Sequence, residues 1–136
     1  MTGLLWRRGS DNPKKGMGGR LLKEFKKLVK DKKYDEALRC GKNYIREIGD
    51  HNHDLFFTMG AIYYTQKRYG QSLEYLDRAL EIGSYDTEAL LLKARAHVIL
   101  GQKTKAEQSC RKIQEIDPGH KEAQSILDSM KRPKGR

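Results

Sequence analysis

Proline is nearly missing from this chain, with three among 136 residues, at positions 13, 118 and 133. The 104 residues between the first two therefore hold no proline to break a helix. Cysteine is as scarce: Cys40 and Cys110 stand 70 residues apart. That excludes a small disulfide-held scaffold and predicts reduced, semi-buried thiols. No run approaches the roughly 18 apolar residues of a membrane span. The patch Leu4, Leu5, Trp6 is too short for the apolar core of a secretory leader, so a soluble, cytoplasmic protein is expected. Catalytic constellations are absent too. No Ser/His/Asp or Cys/His set is recognisable, and Asp35–Glu36 falls at a helix start, where the helix dipole favours carboxylates. The stretch Lys14 to Arg20 has the wrong order for a phosphate loop and no strand before it. His51, Asn52 and His53 offer two imidazoles with no third ligand nearby in sequence. The expectation is a protein that is not an enzyme, with no catalytic residue, no cofactor and no metal.

What the chain does have is charge, unevenly spread. Its formal net charge is +10. Residues 1–33 hold eleven Lys/Arg and three Asp/Glu, residues 34–120 twelve and thirteen, and residues 121–136 five and two. The centre is near neutral and the basicity sits at the two ends. Residues 1–18 read as a basic arm interrupted by Gly3, Gly9, Pro13 and Gly16, and residues 132–136 as a basic tail. Arg7, Arg8, Lys14, Lys15 and Arg20 are the candidates for phosphate or an acidic partner. The run Lys23, Lys26, Lys27, Lys30, Lys32, Lys33 is either a solvated helix face or part of that surface. Without interleaved aromatics it lacks the stacking platforms of a base reader, so any nucleic-acid contact is to the backbone.

Between the ends the apolar residues recur at helical spacing. Leu21, Leu22, Phe25, Leu28 and Val29 form one stripe. Leu55, Phe56, Met59, Ile62 and Tyr63 repeat that pattern 34 residues later. Ala89, Leu90, Ala94, Ala96, Val98 and Ile99 make a third helix, apolar nearly all round and so expected to be central. Each is followed by a second stripe, opening at Tyr34, Tyr69 and Ala106, after a short polar turn that makes the pair antiparallel. Asp54 and Thr87 are the expected N-caps of the second and third pairs. Ala123, Ile126, Leu127 and Met130 form a last amphipathic helix suited to covering an open end.

Ile48, Ile82 and Ile116 close the three second helices at a spacing of 34 residues. A 34-residue helix–turn–helix period is the tetratricopeptide value. The residues agree with that family. Phe56, Met59, Gly60, Tyr63, Tyr69, Ser72, Leu76 and Ala79 in the second unit resemble its order of bulky, small and aromatic positions. The third unit keeps Leu90, Ala94, Gly101, Ala106 and Asp117–Pro118, and the first keeps Tyr34 to Leu38. Phe25 stands near a position where a small residue is expected, and His97 and Lys103 replace two aromatics.

The resemblance implies an all-α fold: a right-handed α-solenoid of three helix hairpins plus a C-terminal capping helix. Its domain would span residues 19–130, with units of about 19–52, 53–86 and 87–120 and a cap at 121–131. It also implies a concave groove, lined by the first helices, that holds a protein or peptide ligand. Here that groove would draw on Lys23, Lys26 and Lys30, then Phe57, Thr58, Ala61, Tyr64 and Thr65, then Glu88, Leu91, Leu92, Arg95 and Ile99. Phe57, Tyr64 and Leu91 are either ligand anchors or packed on the arm or cap. Family members that clamp the acidic C-termini of heat-shock chaperones use Lys, Asn and Arg where this chain has Leu22, Lys26, Thr58, Glu88 and Leu92. Glu88 would repel a carboxylate, which argues against that role. Besides a protein-interaction adaptor, two alternatives stand. One is a nucleic-acid- or ribosome-associated adaptor working through the basic arm. The other is a self-assembling scaffold, a homo-oligomer built by stacking or by docking of Leu4–Trp6.

Overall fold

The computed structural model describes residues 15–49 and 51–131. Among them are seven helices and no strand. They are α1 (Met17–Lys30), α2 (Tyr34–Glu47), α3 (His53–Thr65), α4 (Tyr69–Ile82), α5 (Thr87–Ile99), α6 (Lys103–Ile116) and α7 (Lys121–Lys131). Leu4, Leu5, Trp6 and most of the sequence-predicted arm and tail lie outside the described residues. The chain divides into two compact units, one ending at His51 and one beginning at Asn52. No helix among the described residues is long and apolar enough to cross a membrane.

In the first unit α1 packs on α2. Phe25, Ala37, Leu38 and Cys40 are buried between them. The Cys40 thiol donates to the Leu21 carbonyl at 3.3 Å, tying the two helices together. In the second unit α3 packs on α4 and α5 on α6. α5 also lies against α3, α4 and α7, so it is the central helix. That position explains its apolar residues on every side. α7 closes the far end, setting Ala123 and Leu127 into a cluster with Leu90, Ala94, Cys110 and Ile113. Of these, Leu90, Ile113 and Leu127 each contribute about 1.5–3 kcal/mol by leaving water.

The turns inside the three pairs share one geometry. The amide three residues past each first helix reaches back five residues: Lys33 to the Leu28 carbonyl, Arg68 to Tyr63 and Gln102 to His97, at 2.9, 2.9 and 2.8 Å. This satisfies carbonyls that the helix end leaves open, and it requires a left-handed residue just before. Lys32 (φ 60°), Lys67 (φ 61°) and Gly101 (φ 74°) supply it.

The N-caps differ from the sequence expectation. Asn52 and Asp86 cap α3 and α5, accepting from the amides of Leu55 at 2.8 Å and Ala89 at 3.1 Å. Asp54 and Thr87 instead lie within the first turn. A cap must precede the helix to reach the amide three residues on. His120 continues the series, its Nδ1 accepting from Ala123 at 3.2 Å. Positions 52, 86 and 120 are 34 residues apart, as are their partners.

The register of the first pair also shifts. Ile82 and Ile116 end α4 and α6, but α2 ends at Glu47 and Ile48 lies one residue beyond. The connection of residues 48–52 is one residue longer than 83–86 and 117–120. Counted from helix ends, Phe25 therefore matches Gly60 and Ala94, while Gly41 matches Leu76 and Cys110. All six are buried. Large and small residues have changed places between first and second helix: Phe with Gly, Gly with Leu, Ala with Cys.

Candidate functional site

In the second unit, α3 offers two kinds of surface. Phe56, Met59, Gly60 and Tyr63 turn into the hairpin and are buried. Gly60 lets α4 come so close that an added Cβ would stand 2.9 Å from Leu76 Cγ. Ser72 donates to the Gly60 carbonyl at 2.7 Å across the same contact. Phe57, Thr58, Ala61 and Tyr64 follow at steps of one, three and three, so they share a different stripe of the helix. All four are half-buried. Tyr64 stands edge-on to Tyr69 with ring centroids 5.4 Å apart. From Leu55 to Thr65 no residue is charged, which makes this stripe neutral.

α5, beside α3, adds half-buried Leu91 and Leu92 with exposed Glu88 and Arg95. Leu91 packs against the cluster shared with α7, so part of its side chain is committed to the fold. Val98 and Ile99 are 39% and 51% exposed, high values for branched apolar side chains. The structure thus brings Phe57, Thr58, Ala61 and Tyr64 into the same unit as Leu91 and Arg95. Lys23, Lys26 and Lys30 belong to the other unit, all exposed on α1. Lys15 and Arg20 are exposed there too, while Arg7, Arg8 and Lys14 lie outside the described residues.

His53 was not singled out from sequence except as half of a His-x-His pair. Its ring packs against Gly83, where an added Cβ would come within 2.8 Å. Its Nε2 lies 2.9 Å from Asp86 Oδ2, an ion-pair distance, though the ring N–H is not aimed at that oxygen. Asp86 thereby caps α5 through one oxygen and faces His53 through the other. Among the described residues no group of three His, Cys, Asp or Glu side chains could hold a metal ion.

The family model described as tetratricopeptide repeat matches residues 63–129. Residues 63–129 carry tetratricopeptide repeat sequence. Solved tetratricopeptide structures share its fold. The second such domain of human RPAP3, in complex with an HSP70 peptide, is 20% identical, with a TM-score of 0.72 over 83% of this chain and 93% of that one. The Yersinia enterocolitica type III secretion chaperone SycD, in complex with a peptide of the translocator YopD, is 15% identical, with a TM-score of 0.72 over 83% and 91%. The Hsp90 co-chaperone Cns1 from Saccharomyces cerevisiae is 18% identical, with a TM-score of 0.75 over 89% of this chain and 40% of its own. No curated protein matches the sequence. In tetratricopeptide terms, Phe57, Thr58, Ala61 and Tyr64 lie on the first helix of the second repeat, and Leu91 and Arg95 on the first helix of the third.

Proposed function

We propose that this tetratricopeptide protein is a non-catalytic interaction module that holds an extended or helical protein segment against α3 and α5. The observation that carries this reading is the uncharged stripe Phe57, Thr58, Ala61, Tyr64 on α3, beside a helix that leaves Val98 and Ile99 open to water. Aromatic side chains with part of their surface free are effective anchors, because they bury a large area for the loss of few rotatable bonds. Peptide complexes of the similar RPAP3 domain and SycD support the same use of the fold. Leu22, Lys26, Thr58, Glu88 and Leu92 stand where a clamp for an acidic chaperone tail needs cations and amides. The ligand is accordingly an apolar segment, with Arg95 as its charged contact.

The test replaces Phe57 and Tyr64 together by Ala in the full chain. Affinity for a captured partner should fall by about 30-fold or more, the effect of losing a strong anchor. Far-UV circular dichroism should stay unchanged. Undiminished binding by the double variant would remove this face as the ligand site.

A further inference from the structure

The second and third repeats differ at one place that their 34-residue spacing makes directly comparable. In the second, Tyr63 stacks on Tyr75 at 5.4 Å and Phe56 lies 6.2 Å from Tyr75. The Arg78 guanidinium rests over Tyr75 and Phe56. The residues 34 positions on are His97 for Tyr63, Ser109 for Tyr75, Leu90 for Phe56 and Lys112 for Arg78. Two phenol rings are thus replaced by smaller polar groups. A cleft of about 610 Å³ opens there among α4, α5 and α6, a size that suits a small organic ligand.

Its chemistry is specific. Leu90 forms an apolar floor, 3% exposed. His97 and Ser109 line the cleft, each 5% exposed. His97 Nδ1 is engaged by Gln102 Oε1 at 2.7 Å, whereas the Ser109 hydroxyl has no hydrogen-bond partner among the described residues. That hydroxyl is open to solvent in the cleft and free to donate. At the rim Lys93 is held by Asp77 at 2.7 Å. Lys105 and Lys112 have no carboxylate partner among the described residues, and Glu81 is the remaining acid. Three ammonium groups face two carboxylates, so one positive charge is left over. The matching hollow of the first repeat, lined by Leu21, Leu28, Cys40 and Asn43, is about 330 Å³. Glu24 and Glu36 against Arg39 give it the opposite excess.

From this geometry we infer that the third-repeat cleft binds a planar ring bearing one anionic group. The ring takes the place of the missing phenols over Leu90. The anion accepts from the Ser109 hydroxyl and is neutralised by Lys105 and Lys112. Such chemistry is found in a free aromatic acid and in the C-terminal aromatic residue of a peptide.

The test is an NMR titration of the ¹⁵N-labelled full chain with phenyl phosphate, with N-acetyltyrosine and with neutral N-acetyltyrosinamide. Saturable shifts are expected at the amides of Leu90, His97 and Ser109, with a Kd on the order of 1 mM for the acids. The neutral amide should bind about fivefold more weakly, the scale of one partly screened charge contact. His97→Tyr with Ser109→Tyr restores the filling seen in the second repeat; it should abolish the shifts and hold or raise Tm. Lys105→Ala with Lys112→Ala, both exposed, should lower the acids to the level of the amide and leave the amide itself unchanged. A short peptide ending in Tyr separates the two sources: if it binds like the free acids, a chain terminus can be the ligand, and if only the free acids bind, the ligand is a small molecule. The inference is overturned if no saturable shift appears or if acid and amide bind alike. It is also overturned if the shifts survive in the folded His97→Tyr, Ser109→Tyr chain.

Discussion

At Gly60 one missing carbon sets how near two helices come. A methyl there would press on Leu76 at 2.9 Å, well inside ordinary contact. Gly60→Ala is therefore expected to destabilise by about 1–3 kcal/mol, although alanine is the better helix former. Leu76→Ala alone leaves a void and costs about 2–5 kcal/mol. The two together should cost less than their sum, because each relieves the other, and urea unfolding of the three variants measures that coupling. The small residues at positions 60, 72 and 94 were legible in the sequence, since their spacing follows the repeat. His97 was legible as a packed stand-in for tyrosine, but the space left beside it was not. A cleft depends on Ser109 being small at the same place, and the two substitutions are twelve residues apart.

At the scale of helices, the caps lie one or two residues before the positions that the edge of the apolar stripe suggests. The better signal was the recurrence of Asn52, Asp86 and His120 at 34-residue steps, each three residues before a buried position. Asn52→Ala and Asp86→Ala should each destabilise by about 1 kcal/mol, read as a lowered urea midpoint at unchanged slope. Asp86→Ala should cost more than Asn52→Ala, because it also deprives His53 of its neighbouring carboxylate. α7 was recognised from sequence as an amphipathic cover, and Leu127 in the cluster with Leu90 and Ile113 gives that role its substance. The one-residue slip of the first pair was hidden by Ile48, which resembles Ile82 and Ile116 in type but follows the helix end.

Across the whole molecule, the two thiols link stability to pH. Burial pushes Cys40 above its ordinary range, and Glu24 adds to the shift. Burial also raises Cys110, with Arg111 opposing and Glu107 reinforcing. As pH rises, the unfolded chain releases these protons before the folded one. Their contribution is therefore complete below the unfolded-state value and is lost as pH climbs through the higher folded-state value. Unfolding free energy should decline in the alkaline range, and replacing both cysteines by Ala should flatten that decline. The family and the all-helical repeat could be read from period and small-residue placement. The division at residues 51 and 52 could not, because it depends on which helices touch.

The exchange of sizes between pairs reaches further than packing. Were α1 to meet α4, the Phe25 ring and the Leu76 side chain would compete for one space. Were α3 to meet α2, Gly60 would face Gly41 across a hole. Each helix is thus a key cut for its own neighbour, and a half-made chain, or two chains meeting before either is finished, gains nothing by trading partners.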